Sequence, residues 1–316
     1  MERIPGENNR RVINANPSEQ ETLRKVLREI ADSPEVLSDH DIDKFEGFDE
    51  MFSYLQGKLI IFLGEYGLKQ GTHFTPESIV LSENHPHSRI LEASAQWLSE
   101  LQKIEVYRDW ESGNRLGFVA VLVHEMIHAQ AFQSWKKISE EERTDTTIVT
   151  SDDGEIGPYS YYKGRRQGLN VYDKEEKAYL HDLDEAVTEE LAMRFMATYR
   201  NDFPFLREEV ALREEVIKKN FSSDPVVNFE VRSVDWSRTK AGILDLERAS
   251  YKEERDKLWN MVDLLYTQNK NTFSSSEAVF KMIATGAMTG NILPFARLYE
   301  ATFGKGSFRA LAEKTA

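Results

Sequence analysis

Apolar residues recur at three- and four-residue steps between positions 116 and 132 and cover most faces of the helix that this spacing predicts. Such a helix lies inside a protein, because an apolar surface on all sides is costly to expose to water. Asn114 follows the turn-like segment 111–113 and is the expected N-cap. The apolar stripe consists of Leu116, Val119, Val123, Ile127 and Ala131, with Leu122, Met126 and Ala129 beside it.

The remaining chain alternates between helical and extended patterns. Helical spacing predicts further helices over residues 19–30, 48–63, 88–101, 183–192, 206–219 and 251–268. Ser274 and Glu277 have the spacing of a capping box at the start of another helix. β-Branched or alternating segments predict strands over residues 78–82, 103–108, 146–150 and 169–172, and residues 226–234 alternate like a strand or an extended link.

These elements predict an α+β fold, in which a small mixed sheet and the buried helix are followed by a mainly helical C-terminal lobe. We expect three parts: an N-terminal helical segment over residues 1–70, a core over 71–200 and the helical lobe over 201–316. A chain of 316 residues is long enough for about two lobes with a sizeable core.

Two histidines and a glutamate lie on the buried helix. His124 and His128 are four positions apart, so both rings lie on one helix face and can reach a single ion. Imidazole is a preferred zinc ligand, and Glu125 projects beside the same site, where a carboxylate can deprotonate a metal-bound water. This is the His-Glu-x-x-His signature of zinc-dependent peptidases. The alternative is two core histidines bonded to backbone carbonyls, with Glu125 paired to an arginine.

A zinc site of this kind needs a third protein ligand and keeps its fourth position for water. The metzincin pattern is excluded, because Ala131 and Ser134 stand where it requires Gly and His, and a cysteine ligand is excluded because the chain has no Cys. A carboxylate on the predicted helix 183–192 remains, and Asp182 or Asp184 is the expected cap of that helix. Within and beside this helix, the candidate third ligands are Glu185 and its rivals Asp182, Asp184 and His181.

The two motifs together resemble the gluzincins, the thermolysin-like clan of the zincin metallopeptidases, over about residues 75–200. In that clan a downstream helix carries the ligand glutamate, commonly after Asn, and a second acidic residue four positions later. The resemblance implies that Glu185 is the third ligand, while Asp184 stands where Asn is common. It also implies that Glu189 is the second acidic residue, which supports a metal ligand without binding the metal itself. The His-Glu-x-x-His motif is highly specific, whereas the acidic pattern is weak by itself.

The resemblance also implies a zincin-like core with a small mixed sheet and an active-site helix, one Zn²⁺ per chain and hydrolysis of peptide bonds. The spacing of the two glutamates agrees with it, because Glu185 and Glu189 share a helix face. One can bind the metal while the other accepts a hydrogen bond from a ligand histidine, which fixes its tautomer. Alternatively, both glutamates are solvated surface residues.

Peptide hydrolysis also needs a hydrogen-bond donor for the oxyanion that forms when water attacks the carbonyl. Gluzincins commonly use a Tyr or a His for this role. No motif assigns the donor here, and an aromatic cluster in a strand pair is also typical of cross-strand packing. The candidate donors are Tyr159, Tyr161, Tyr162, Tyr172 and His181.

The composition of the chain limits the kinds of binding partner and the cellular location that we expect. The net charge of −14 argues against nucleic acid, which favours a basic face. The longest apolar run, residues 59–63, is too short to span a membrane, and the basic start at Arg10 and Arg11 is not followed by the apolar segment of a signal peptide. The absence of Cys excludes disulfides and thiolate metal sites. We therefore expect a cytoplasmic protein without a membrane span.

The expected function is zinc-dependent hydrolysis of a peptide or protein substrate, with Glu125 as the general base on a zinc-bound water. An endopeptidase is favoured, because the Gly-x-Met-Glu-Asn segment of the clan's aminopeptidases is absent. Two alternatives belong to other classes. One is a metal-containing binding or structural module without turnover, and the other is a helical interaction protein in which the motif is accidental.

Overall fold

The computed structural model describes residues 10–12, 17–22, 25, 44–69, 71–72, 74–81, 95–98, 102–107, 115–137, 162–222, 224–234 and 246–315. Over these residues the protein has the expected α+β fold, with helices predominating and small mixed sheets. No helix in the described ranges combines the length and the apolar composition needed to cross a membrane.

Residues 17–22 and 25 are helical, and the helices whose bounds are defined are, in chain order, α1 (Phe48–Gly64), α2 (Arg115–Gln130), α3 (His181–Tyr199), α4 (Arg207–Phe221), α5 (Pro225–Glu230), α6 (Lys252–Gln268), α7 (Ser276–Thr289), α8 (Leu293–Phe303) and α9 (Ser307–Lys314). The strands are β1 (Arg10–Val12), β2 (Ile79–Leu81), β3 (Ala95–Leu98), β4 (Lys103–Val106), β5 (Gln133–Lys137), β6 (Tyr162–Gln167), β7 (Asn170–Tyr172), β8 (Ala178–Tyr179), β9 (Val231–Val234) and β10 (Leu246–Arg248).

The strands form three small sheets. A five-stranded sheet has the order β1-β5-β6-β7-β8, with β1 parallel to β5 and the other pairs antiparallel. A three-stranded sheet has the order β2-β4-β3, in which β2 is parallel and β3 antiparallel to β4. Strands β9 and β10 form an antiparallel pair. Among the described residues, β3 therefore lies at the edge of its sheet, and it packs beside α2.

Helix α2 lies at the centre of the molecule, and every residue from Leu116 to Gln130 is buried. Helix α3 packs against α2 on one side and against α6 on the other. One hydrophobic cluster runs from Phe48 in α1 to Phe295 in α8 and includes the apolar residues of α2 and α3. The division at residues 70 and 200 stays a prediction, and this core extends across both positions.

The prediction of a helix over residues 88–101 is wrong for its described part. Residues 95–98 form β3, in which Ala95 and Trp97 are buried and Gln96 and Leu98 are half-buried. This two-residue alternation, together with the pairing of Gln96 with Glu105 in β4, overrides the helical spacing of the apolar residues. The expected cap at Asn114 and the expected strand 146–150 lie outside the described residues.

One predicted extended segment and one predicted helix cap differ from the structure. Residues 226–234 are not extended throughout, because Pro225 opens the short helix α5 and Asp224 caps it by accepting from the Val226 and Val227 N–H groups; β9 follows. The cap of α7 is Ser275 rather than Ser274, since Ser275 accepts the Ala278 N–H.

Helix α3 also starts differently, because neither Asp182 nor Asp184 caps it. It begins at His181 after Leu180, which has a φ of 62°. The Leu180 and Asp182 N–H groups donate to the carbonyls of Ala312 and Thr315 at the end of α9. The C-terminal helix thus replaces a side-chain cap, and the Asp184 side chain is available for a different contact.

Candidate metal centre

The two motif histidines lie side by side on α2 and point the same ring atom at each other. Their rings meet edge to face with centroids 4.9 Å apart, and Nε2 of His124 lies 3.2 Å from Nε2 of His128. Both side chains are buried. The four-residue spacing produces this arrangement, because residues i and i+4 project from the same helix face.

Glu185 completes a triangle with the two rings. Its Oε2 atom lies 3.3 Å from Nε2 of His124 and 3.3 Å from Nε2 of His128. Zinc ligands at about 2.0–2.1 Å from the ion in a tetrahedral site are separated by about 3.3–3.4 Å from one another. The triangle therefore has the size of one face of such a tetrahedron, and this buried group can hold a metal ion.

A carboxylate lies behind each histidine ring. Oε2 of Glu189 is 2.9 Å from Nδ1 of His124, as the resemblance implies. Oδ2 of Asp184 is 3.6 Å from Nδ1 of His128, an atom that has no hydrogen-bond partner among the described residues. Asp184, a rival ligand on sequence grounds, thus approaches the ring nitrogen that faces away from the triangle. Its other oxygen accepts the Leu169 N–H at 2.6 Å.

Glu189 of α3 contacts both His124 of α2 and residues in the C-terminal half of the chain. Its side chain is fully buried, and it forms an ion pair with Arg232 of β9, whose Nε donates to Oε1 at 3.1 Å. The same Oε1 accepts the backbone N–H of Ser250 at 3.1 Å. A buried carboxylate that receives several donors remains ionised, so Glu189 presents a negative charge to the His124 ring.

The pKa values of the group show how its charges are coupled. Burial opposes ionisation of Glu185 and Glu189, but the histidines and, for Glu189, Arg232 outweigh it and hold both pKa values below their usual range, that of Glu189 at about 2. Burial likewise opposes protonation of His124, and hydrogen bonds to the two glutamates raise its pKa to about 10. In the metal-free protein the His124 ring is therefore protonated, and a metal ion that binds to this ring must displace the proton.

Glu125 occupies a different environment on the same helix. It is buried and lies outside the group whose atoms converge. Burial raises the pKa of its carboxyl group, against the lowering influence of His124 and His128 and of a hydrogen bond from the Trp97 N–H of the edge strand β3. A carboxylate with a raised pKa beside a metal site is suited to accept a proton and to return it.

Tyr251 is a site residue that the sequence reasoning missed. Its ring stacks on His124, with centroids 5.8 Å apart and an interplanar angle of 15°, and its phenol interacts with the Glu185 carboxylate. Burial and the carboxylates of Glu185, Glu125 and Glu189 raise the pKa of the phenol. The phenol therefore keeps its proton and can donate it in a hydrogen bond. The sequence shows Tyr251 only as the first residue of a predicted helix, and no motif connects it to the two histidines, the nearer of which lies 123 residues upstream (251 − 128).

The predicted oxyanion donors lie in several places. Tyr159 and Tyr161 lie outside the described residues, and Tyr162 begins β6. The Tyr172 hydroxyl accepts from Asn170 Nδ2 at 3.0 Å, and the same Nδ2 lies 3.4 Å from Nδ1 of His181. His181 is half-exposed, and its Nδ1 lies 3.9 Å from Oε1 of Glu185. Of these candidates, His181 is the one that the structure places beside the metal group.

Comparison of the chain with protein-family models, with curated proteins and with solved structures finds no match. The geometry and the chemistry of the site therefore decide which functions this protein can perform.

Proposed function

We propose that this protein is a zinc-dependent peptidase of the zincin type. The observation that carries the proposal is the triangle formed by the Nε2 atoms of His124 and His128 and the Oε2 atom of Glu185, with edges of 3.2 to 3.3 Å. Two imidazoles and one carboxylate form the ligand set of peptidases with a three-ligand zinc site. Three protein ligands leave a fourth coordination position, as a catalytic site requires.

The donor set fits zinc better than the hard cations. Calcium and magnesium take oxygen ligands, and thiolate sites are excluded in a chain without Cys. When bound, zinc supplies a Lewis acid that lowers the pKa of coordinated water from 15.7 to about 7 and polarises a carbonyl group. Glu189 and Asp184 lie behind the two rings, where carboxylates orient histidine ligands toward the metal.

The catalytic step needs a general base and a hydrogen-bond donor for the developing oxyanion, and side chains of this chain can fill both roles. Glu125 accepts a proton from the attacking water and passes it to the departing amine. Its raised pKa makes it a better base near neutral pH than an exposed glutamate. Tyr251 donates its hydroxyl proton in a hydrogen bond to the substrate oxygen on which negative charge develops, and His181 is the alternative donor at the other oxygen of Glu185.

The arrangement of elements supports a gluzincin-like core, with α2 as the active-site helix and α3 as the glutamate helix. The antiparallel edge strand β3 lies beside Glu125 and is the element along which an extended peptide can pair. We therefore propose a peptide or protein substrate and cleavage within the chain rather than at its amino end.

The deciding experiment combines elemental analysis with hydrolysis of a fluorogenic peptide library. We expect one zinc per chain and turnover in the wild-type protein. Glu125→Gln should keep the zinc and lose turnover by a factor of about 10²–10⁴, whereas the exposed Glu208→Gln in the first turn of α4 should change neither. Zinc at full occupancy without turnover of any peptide would favour a metal-containing binding module, and absence of bound zinc would overturn the metal site.

A further inference from the structure

Tyr251 lies beside the metal group although the residue is partly exposed to solvent. The residue is 41% exposed and has a left-handed backbone, with φ at 51° and ψ at 36°. Non-glycine residues rarely adopt this conformation, so surrounding contacts must fix it. The ring contact with His124 covers one side of the phenol and does not account for the backbone.

The backbone before Tyr251 is held from two sides. The Ser250 N–H donates to Oε1 of Glu189 at 3.1 Å, and the Ser250 carbonyl accepts from Nε of Arg255 at 3.3 Å. One residue earlier, the Ala249 N–H donates to the Glu230 carbonyl at 2.8 Å. Residues 249–251, here called the anchored turn, are thus bonded to α3, to α6 and to the end of α5.

Arg255 is the side chain that joins these contacts. Its residue is 3% exposed, and its NH1 and NH2 groups donate to the two carboxylate oxygens of Glu230 at 3.1 and 2.6 Å. NH1 also lies 3.8 Å from Oε2 of Glu190. A buried guanidinium is tolerated only when it is paired and hydrogen-bonded. The planar fork binds Glu230 with two nitrogens and leaves Nε for the Ser250 carbonyl, a geometry that lysine lacks.

We infer that Arg255 is a positioning residue that holds the Tyr251 hydroxyl at the metal group through the anchored turn. The inference rests on the proposed peptidase function for its catalytic consequence, while the anchoring itself concerns the chain alone. Arg255 makes no contact with His124, His128 or Glu185 within the described contacts, so its loss leaves the metal ligands in place.

Arg194 provides a matched control. It is also a largely buried arginine that pairs with Glu190, at 2.8 Å, and it bonds Glu277 and packs on the ring of Phe280. Its described contacts do not include the anchored turn. Arg194→Met and Arg255→Met therefore both remove a buried partner of Glu190, and only the second releases the Ser250 carbonyl.

The first arm of the test is a kinetic double-mutant cycle on the zinc-loaded proteins. Arg255→Met should lower kcat about 10-fold, since small misplacements of catalytic groups have effects of this order, with KM changed less than 2-fold. In the Tyr251→Phe background it should lower kcat less than 2-fold. Arg255→Lys, which keeps the buried charge, is expected to fold like the wild type and to lower kcat in the same direction. Equal losses in both backgrounds would overturn the inference.

The second arm does not depend on turnover. Amide hydrogen exchange of residues 249–252, followed by mass spectrometry in metal-free and zinc-loaded protein, should become at least 10-fold faster in Arg255→Met and remain unchanged in Arg194→Met. Unchanged exchange in Arg255→Met, or the same acceleration in both variants, would refute the anchoring even if the protein is an active peptidase. If the wild type hydrolyses no peptide but shows the expected exchange pattern, the anchoring stands and the proposed function fails.

Discussion

Nδ1 of His124 lies 2.9 Å from Oε2 of Glu189, whose side chain is completely buried. With its Nδ1–H donated to this carboxylate, the ring directs Nε2 toward Glu185 and His128, so that loss of the Nε2 proton exposes a lone pair to a metal ion there. The contact joins residues 65 positions apart. The contact fixes the orientation of the His124 ring, which the spacing of the histidines along α2 does not determine. It also places the negative charge of Glu189 on the side of the ring that faces away from the metal group.

The first prediction concerns metal binding. His124→Ala, His128→Ala and Glu185→Ala should each reduce bound zinc below about a tenth of the wild-type content after dialysis, because each removes one of three ligands. Elemental analysis of the purified variants measures this. Asp184→Asn keeps the three converging atoms and should retain zinc with a smaller loss of affinity. Zinc retained by Glu185→Ala, and lost by Asp184→Asn, would reverse the assignment of the third ligand.

The second prediction concerns the partner of His124. Glu189→Gln keeps the size of the side chain but removes the charge that faces His124 and Arg232, so zinc affinity or activity should fall about 10–100-fold. Competition with a chelator of known affinity measures the change. The exposed Glu208→Gln serves as the control. Wild-type affinity in Glu189→Gln would mean that this carboxylate does not orient the ring.

The third prediction concerns the pH dependence of metal uptake. The pKa of His124 in the metal-free protein is raised to about 10, so the ring is protonated at neutral pH and must lose its proton when zinc binds. Zinc binding at pH 7 should release at least about one proton, and zinc affinity should increase with pH up to that pKa, by up to 10-fold per unit for one proton.

Calorimetry in buffers of different ionisation enthalpy measures the number of protons released. In Glu189→Gln, zinc affinity should stop increasing at a lower pH, because one of the hydrogen bonds that raise the His124 pKa is then weakened. A binding heat that is independent of the buffer would show that both rings are already neutral in the metal-free protein.

The fourth prediction concerns a glycine behind His128. Gly168 has a φ of 55°, and a Cβ added there would overlap the Asp184 carboxylate. Gly168→Ala should therefore displace Asp184 from His128 and lower zinc affinity about 10-fold or more, in addition to the backbone strain of roughly 1–2 kcal/mol. Gly47, at the start of α1, has a φ of 81° with no atom within 4 Å of an added Cβ.

Gly47→Ala is thus the control with similar backbone strain and no clash. Thermal unfolding of both variants and their zinc affinities separate the two effects, since both should lose stability but only Gly168→Ala should lose affinity. Equal zinc affinity in the two variants would show that Asp184 does not support the His128 ring.

Local sequence patterns determined the elements that carry the ligands. Apolar residues at three- and four-residue steps were sufficient to place α2 inside the molecule, and the four-residue spacing of His124 and His128 was sufficient to bring their rings together. The same logic, with the resemblance to gluzincins, selected Glu185 and Glu189. These inferences concern neighbours on one helix face, whose separation is a property of helix geometry alone.

Tertiary structure decided what depends on contacts between distant segments. Residues 95–98 became a strand because β4 pairs with them, although their spacing suits a helix. Asp184 faces His128 rather than capping α3, because the end of α9 bonds the first N–H groups of that helix. Tyr251 reaches the site because Glu189 and Arg255 hold Ser250 in place. Such contacts leave no periodic pattern in the sequence, because the packing of the whole chain determines which distant residues meet.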